Sequence, residues 1–315
     1  MLNNLIIYLI EVIMVLISVA FFTLMERKLL AYINLRKGPN KVGLIGMFQP
    51  FGDAIKLLKK EYLLMYSMNM WIYMFCPFIM LVLSFFFWVI YPMVDGFFEF
   101  NYGLLMLMLL LSINVYSIML MGWSSNSIYS MLGMFRSVIQ SISYEVSMMF
   151  LFLVIFILMM SLNFIDLMYY QDKMMFFFFL FPLCLMVMVS MLAELNRSPF
   201  DFVEGESELV SGFNIEYGSG FFTLIFLSEY CMMIFMSFLI SIFFFGMNQW
   251  GFIFSLKILF IMFLLLWVRG IMPRYRYDKL MMLTWKIYLL VSLSYLMLIF
   301  SVKCLICNNL NMFMK

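Results

Sequence analysis

The stretch MLNNLIIYLIEVIMVLISVA, residues 1–20, carries a single charged residue, Glu11, in a run of mostly apolar side chains. It lacks the basic residues that precede the apolar run of a cleavable secretory signal, and further apolar segments follow it. About 20 apolar residues suffice to cross the hydrocarbon core of a bilayer as a helix. The stretch therefore predicts a first transmembrane helix, and with it the fold class of the chain.

The same pattern recurs along the remaining sequence. The chain is 66% hydrophobic and only 11% charged, with a mean hydropathy of +1.06, whereas soluble domains carry about 25% charged residues. Eight apolar segments are long enough to span a bilayer, at roughly 2–25, 71–94, 103–122, 146–165, 174–193, 217–245, 251–268 and 283–302. Alternating strands of a membrane barrel are not evident. We predict an all-α polytopic membrane protein in which residues 1–315 form one integral membrane domain.

Lysine and arginine are distributed unequally between the two ends of these segments. Of the 19 basic residues, 15 fall in or beside the four connections at 26–70, 123–145, 194–216 and 269–282, and the other four fall at the opposite ends. Connections rich in Lys and Arg stay on the inner side of a membrane. We therefore predict that these four connections share that side.

The first of these connections contains its own amphipathic element, QPFGDAIKLLKKEY at 49–62. Pro50 suits the first turn of a helix. Asp53 and Lys56 fall on one face, and the apolar residues on the other follow helical spacing: Phe51, Ala54, Ile55 and Leu58. This pattern predicts a helix lying in the membrane surface. Such a helix could serve only as an interfacial anchor, or it could line the entrance to a ligand site.

Acidic residues concentrate in ELNRSPFDFVEGESELVSGFNIEY, residues 194–217, which we call the acidic connector. It holds six of the 17 acidic residues, and Arg197 is its only basic one. Apolar residues interrupt the acids, and Pro199, Gly205 and Gly212 punctuate the stretch, which predicts short broken elements of the kind tolerated at membrane depth beside a polar cavity. We predict that the connector folds back among the helices; the alternative is a solvated loop.

Charges inside apolar segments cost several kcal/mol unless they are paired, neutralised or hydrated, so they mark function. Glu229 lies about midway along the sixth segment, and Glu145 lies at the start of the fourth. A connector folded inward would line a path to both with its own carboxylates, as in proton relays. Lys257, in the seventh segment, is either functional or a side chain that extends towards the membrane surface. Glu11, in the first segment, is assigned a structural role.

Several chemistries are excluded by what the sequence lacks. Histidine is absent, which excludes a His-ligated haem, a His-based zinc site and a Ser-His-Asp triad within this chain. Cys304 and Cys307 form one CxxC without the second pair that a metal site would require. Neither Gly-rich phosphate-binding motif occurs. We expect no bound nucleotide, no metal and no nucleic-acid partner.

The connections on the basic side resemble those of a known family. The runs that carry the resemblance are ERKLLAYINLRKGPNKVG at 26–43, QPFGDAIKL at 49–57, GWSSNSIYSMLG at 122–133, AELNRSPFDFVEGESELVSGFNIEY at 193–217 and PRYRYDKLM at 273–281. They are similar to the quinone-site membrane subunits of respiratory complex I, along essentially the whole chain. The scarcity of Ala and the abundance of Met and Phe favour the mitochondrial form.

The resemblance implies a core subunit of a redox-driven proton pump in the mitochondrial inner membrane, with the basic connections in the matrix. Ubiquinone would be the substrate, in a site shared with partner subunits. Flavin, the iron–sulfur clusters and the NADH site would belong to partners. Those partners would be the quinone-reducing subunits of the peripheral arm and small neighbouring membrane subunits.

Two sets of residues match the family's functional positions. Those that resemble its acidic channel are Glu145, Glu194, Asp201, Glu204, Glu206, Glu208, Glu216 and Glu229. Those that resemble its quinone passage are Arg27, Arg36, Phe51, Asp53, Ala54, Phe226, Leu227, Arg269 and Arg274. Two other functions remain open: a stand-alone secondary ion transporter, although no internal repeat typical of one is evident, and the membrane anchor of a related hydrogenase.

Overall fold

Every regular element that the structure describes is helical, which confirms the predicted all-α class. The computed structural model describes residues 2–62, 66–92, 100–171, 174–202, 212–247 and 251–313. The α-helices in these ranges are α1 Leu2–Ile33, α2 Gln49–Leu58, α3 Met70–Trp88, α4 Gly103–Ser124, α5 Ile128–Met159, α6 Phe164–Tyr170, α7 Phe176–Phe179, α8 Phe181–Glu194, α9 Ser219–Ile240, α10 Gly251–Ile271, α11 Tyr277–Met282 and α12 Leu289–Phe313.

Seven of the described helical stretches are long and apolar enough to cross a membrane. They comprise α1, α3, α4, α5, α9 with a π-helical turn at Ser241–Phe245, α10, and the continuous run from α11 through a π-helical segment at Leu283–Tyr288 into α12. The apolar helix α8 is shorter, at 14 residues. This arrangement confirms the polytopic architecture.

Helix α5 begins much earlier than the apolar segment at 146–165 indicates. Residues 128–145, which we assigned to the connection 123–145, form its first half. Serine residues explain the difference, because they lower the hydropathy without breaking the helix: Ser137 and Ser143 each donate a hydrogen bond to the carbonyl three residues back. Ser127 caps the helix by accepting from the Ser130 N–H.

The predicted span at 174–193 is two helices rather than one. Helix α7 ends at Phe179 and α8 begins at Phe181, with Leu180 between them in a non-helical conformation (φ −115°, ψ 34°). Pro182 occupies the first turn of α8. A proline there has no N–H to continue the preceding helix and disfavours helical geometry in the residue before it, so the chain breaks at this point.

Helix α9 forms the centre of the bundle and packs against α1, α3 and α10, while α5 packs against α4, α8 and α12. The peripheral helices α1, α10 and α12 expose most of their apolar surface, as helices that face lipid do. Large aromatic side chains fill the centre; Phe152, Phe235 and Phe243 are fully buried. Many membrane bundles have small residues at their helix contacts, whereas phenylalanine fills the centre of this one.

Two side chains satisfy backbone carbonyls at the π-helical end of α9. Gln171 donates to the carbonyls of Ile242 and Phe243, at 3.0 and 2.9 Å. The Lys257 ammonium donates to the carbonyls of Phe245 and Gly246, at 2.7 and 3.1 Å. Carbonyls at a helix end carry partial negative charge, so a cation there is stabilising. Lys257 therefore has a specific partner and does not merely extend to the membrane surface.

Two glycines let α5 approach the acidic connector. A Cβ at Gly133 would lie 2.9 Å from the Cα of Gly212 and 3.1 Å from the N of Phe213. Both neighbours are backbone atoms that cannot rotate away. The close contact therefore requires glycine at position 133.

We expect Gly133→Val to separate α5 from the connector and to lower the thermal stability of the assembled protein. The added side chain must displace backbone, which is a recognised cause of strongly destabilising substitutions. Gly251→Val is the matched control, because none of the described residues, its chain neighbours and own helix aside, comes within 4 Å of a Cβ there. Equal melting temperatures for the two variants would contradict the packing described here.

Candidate functional site

The described parts of the acidic connector pack inside the bundle. At its start, Glu194, Arg197 and Phe200 are buried; at its end, Phe213 and Tyr217 are buried. They lie at the end of the bundle where α1, α4, α8 and α10 terminate, which we call the basic end. For residues 194–202 and 212–217, this confirms the prediction that the connector folds inward.

Gln140 of α5 anchors the first part of the connector. Its side-chain amide donates to the carbonyl of Ala193 at 2.8 Å and to that of Phe200 at 3.0 Å. These two carbonyls lie on either side of Arg197, so a single side chain fixes both ends of the turn that carries it. Buried carbonyls require such partners.

Two tyrosines anchor the last part of the connector. The ring of Tyr217 stacks on that of Tyr73, with centroids 4.2 Å apart, and the Tyr73 hydroxyl donates to the Glu216 carbonyl at 2.7 Å. Burial raises the pKa of Tyr217, so this phenol stays protonated at physiological pH. Its hydroxyl lies 3.2 Å from that of Ser124 at the end of α4.

A buried ion pair joins the connector to α9. A guanidinium nitrogen of Arg197 lies 2.8 Å from Glu229 Oε2, and the two side chains are 7% and 14% exposed. The guanidinium also lies over the rings of Tyr230 and Phe226, at 5.0 and 5.9 Å from the centroids. The ring faces attract the cation, and the carboxylate neutralises it. Glu229 is therefore a paired carboxylate within a span.

A small cavity with a mixed polar and apolar lining adjoins this ion pair. It offers about 30 Å³ to the centres of water molecules, and its polar lining includes Glu194, Asn196, Arg197, Glu229 and Asn114. Glu194 Oε2 and Asn196 Oδ1 are buried and make no hydrogen bond to any of the residues that the structure describes. A cavity of this size holds one or two waters, and two unsatisfied oxygens would give such waters acceptors.

Of the other predicted acidic positions, three lie among the described residues but do not line this cavity. Glu145 is half-buried in α5, within electrostatic range of Glu194. The side chain of Asp201, only 10% exposed, lies 3.5 Å from that of Arg274. Glu216 is half-buried at the end of the connector. The positions outside the described residues are Glu204, Glu206 and Glu208.

A second group of charged residues, consisting of two ion pairs, connects α1, α2 and α10. Arg27 of α1 forms an ion pair with Asp53 of α2, and the preceding residue, Glu26, forms one with Arg269 of α10. The first pair is partly exposed, whereas Glu26 is buried. Adjacent residues of α1 therefore connect to two different helices.

The remaining residues predicted for the passage are dispersed around this group. The ring of Phe51 meets that of Phe21 of α1 edge-on at 6.2 Å, which places this part of α2 against α1. Ala54 is exposed, and Leu227 is partly buried against the core. Phe226 lies beside Arg197 instead. Arg36 is exposed beyond the end of α1, so the structure does not bring the predicted set together at one point.

Sequence reasoning missed three residues of the site. Glu26 lies in the part of α1 that we assigned to a connection, and its signal was the ERK run that begins with it. Gln140 is neutral, and the only sequence signal for a role in the site is a polar residue within a helix of mostly apolar residues. Tyr230 follows Glu229 directly and was taken as part of the apolar segment.

Comparison with known proteins shows the family. A family model described as NADH dehydrogenase matches residues 6–300. The chain is 53% identical over 289 residues to the NADH-ubiquinone oxidoreductase chain 1 of Locusta migratoria, with 92% of each chain covered. It is 50% identical over 292 residues to that of Anopheles gambiae, with 93% of each covered, and 43% identical over 283 residues to that of Mytilus edulis, with 89% and 92% covered. The chain therefore belongs to the NADH dehydrogenase family.

Proposed function

We propose that this chain is the mitochondrial inner-membrane subunit that couples ubiquinone reduction to proton translocation in an NADH–ubiquinone oxidoreductase. The observation that carries the proposal is the Arg197–Glu229 ion pair beside a small, partly polar cavity, inside an otherwise apolar bundle. The basic end faces the matrix, where the quinone-reducing partner subunits dock. NADH, flavin and iron–sulfur clusters remain with those partners.

The quinone passage runs along α1, α2 and α9 near the Arg27–Asp53 pair. Helix α2 contacts both α1 and α9, and its exposed apolar residues Phe51, Ile55 and Leu58 suit a helix at the membrane surface. A quinone combines an apolar tail with a polar, uncharged headgroup. A route of apolar walls with a few polar groups near the surface fits both parts.

The carboxylate series carries the coupling. Reduction of a quinone to a quinol takes up two electrons, which partners supply, and two protons. Removal of protons from the headgroup region changes the charge next to the Glu26 and Arg197 groups. Glu194 and Glu229, which both line the cavity, and Glu145, which interacts electrostatically with Glu194, then pass protons or the change in electric field away from the basic end.

A passive membrane anchor explains these features less well. Replacement of a buried ion pair by apolar residues is often neutral or stabilising, by about 1–4 kcal/mol. An anchor therefore gains nothing from an arginine buried in the bundle. A proton-coupling subunit does gain from it, because Arg197 allows the titratable Glu229 to lie inside the membrane.

Glu229→Gln is expected to abolish proton pumping and to reduce NADH-driven ubiquinone reduction strongly, because an amide occupies the same space but cannot exchange a proton. Asp166→Asn, at the start of α6 and outside the site, is the matched control and is expected to leave both activities intact. The measurements are ubiquinone reduction and vesicle acidification by the reconstituted complex. Normal pumping by Glu229→Gln would refute the proposal.

Arg197→Met is expected to leave Glu229 buried without its cation, at a cost of about 3–5 kcal/mol, and so to lower the melting temperature of the complex. The double variant Arg197→Met/Glu229→Gln, which has no unpaired carboxylate, should recover much of that stability. Thermal unfolding of the four members of this cycle measures the coupling. Additive losses would show that the two side chains do not depend on each other.

Asp53→Asn is expected to raise KM for a soluble ubiquinone analogue severalfold, with little change in kcat or in assembly. The ion pair with Arg27 is partly exposed, and such pairs contribute only about 0–1 kcal/mol to stability. Glu61→Gln, a matched carboxylate-to-amide change just after α2, should leave KM unchanged. Equal effects of both variants would argue against a passage beside Asp53.

A further inference from the structure

The cavity beside the Arg197–Glu229 pair has one polar lining residue that the proposed coupling does not use. Asn114 lies near the middle of α4, a membrane-spanning helix of 22 residues. Its side chain is buried, and it lines the cavity together with Glu194, Asn196 and the ion pair. Among the described lining residues, Asn114 is the polar one that belongs neither to the connector nor to α9. The cavity therefore brings a neutral amide of α4 next to the carboxylates.

The side-chain amide of Asn114 lacks an acceptor within the described part of the chain. Its oxygen lies 3.4 Å from the hydroxyl of Ser117, which also donates to the backbone carbonyl of Asn114 at 2.7 Å. The amide nitrogen makes no hydrogen bond to any described residue. This nitrogen carries two N–H donors, and a buried donor without a partner is unfavourable. The amide therefore requires an acceptor inside the cavity.

Two acceptors that face the same cavity lack a donor. Glu194 Oε2 and Asn196 Oδ1 are buried, and none of the described residues donates to them. Both belong to the turn of the connector whose flanking carbonyls Gln140 holds. Donors on α4 and acceptors on the connector thus line one cavity without bonding to each other.

Water is the ligand that fits between these groups. The cavity offers about 30 Å³ to water centres, which suffices for one or two molecules and is far too small for an organic ligand. A buried water makes about three hydrogen bonds, so it can accept from the Asn114 amide and donate to Glu194 and Asn196. A metal cation fits less well, because the guanidinium of Arg197 lines the same cavity and repels it.

We propose that Asn114 is a positioning residue of the coupling site, whose amide holds a water molecule against Glu194 and Asn196 beside the ion pair. A water held in one orientation keeps a hydrogen bond ready for proton transfer to or from the Glu194 carboxyl group. The consequence for turnover rests on the proposed coupling function, whereas the water site itself does not.

An asparagine that merely fills space explains the position less well. Leucine has the same number and branching of side-chain heavy atoms and brings no polar group into the membrane. An amide buried there without a partner would cost free energy and contribute nothing in return. The unpartnered acceptors of the connector supply the reason for an amide at this point.

The test compares Asn114→Leu with Tyr116→Leu in the assembled complex, reconstituted into vesicles. For Asn114→Leu we expect kcat of NADH-driven ubiquinone reduction to fall about fivefold, which corresponds to about 1 kcal/mol, the contribution of one hydrogen bond. KM for ubiquinone should stay unchanged, and the solvent isotope effect in D2O should increase. Tyr116 is 60% exposed on the same helix, so Tyr116→Leu should keep all three at the values of the unaltered complex.

Three kinetic outcomes would overturn the proposal. Equal kinetics for the two variants would show that the amide has no role. A raised KM with unchanged kcat would assign Asn114 to quinone binding instead. A lowered melting temperature with an unchanged kcat and isotope effect per assembled complex would show that Asn114 serves packing alone.

A cryo-EM map of the unaltered complex that shows ordered water tests the site even if Asn114→Leu does not assemble. We expect density within hydrogen-bond distance of both the Asn114 amide and Glu194 or Asn196. An empty cavity, or an amide bonded directly to another residue, would overturn the proposal.

The Glu229→Gln experiment keeps this inference separate from the proposed function. Normal pumping by Glu229→Gln would refute the coupling function and leave the water density in place. Abolished pumping by Glu229→Gln, combined with unaltered kinetics of Asn114→Leu, would overturn the role of Asn114 alone.

Discussion

The ion pair between Arg197 and Glu229 is the interaction on which the arrangement of the basic end depends. An arginine cannot lose its proton in a protein, so the turn that carries it can enter the bundle only where a carboxylate meets it. Helix α9 supplies that carboxylate and two aromatic rings, those of the adjacent Tyr230 and of Phe226 one turn earlier. Once Arg197 is fixed, Gln140 can reach the carbonyls on both sides of it. The charge pair and the two Gln140 hydrogen bonds together hold the first part of the connector inside the bundle.

The spans were predictable from the sequence because their energetics are local. A helix forms all of its backbone hydrogen bonds internally. The free energy of transferring its side chains into lipid is therefore enough to indicate where a span can lie. Hydropathy mispredicts a span where the polarity of the side chains and the formation of a continuous helix do not coincide. The first half of α5 is less apolar than the second yet helical, since its serines bond to their own helix. The segment at 174–193 is apolar throughout yet broken, because Pro182 interrupts the backbone.

The candidate site was predictable only in part, for a related reason. Glu229 could be identified because a carboxylate within an apolar segment is conspicuous, and Arg197 was the only basic residue of the connector. Their pairing is a tertiary contact across 32 residues, which no local pattern records. Glu26 escaped notice because α1 continues past its apolar segment, and Gln140 because a neutral amide leaves no signature in charge or hydropathy.

The two charged groups of the basic end differ in exposure, and the difference suits the roles proposed for them. Both side chains of the Arg27–Asp53 pair contact solvent, at 50% and 26% exposure, so water can replace either partner at little cost. Such a pair can open as a headgroup passes. Arg197 and Glu229 are nearly buried, and to separate them would leave two charges in a medium of low dielectric constant. That pair opens only when one partner changes its charge, as a group that senses protonation requires.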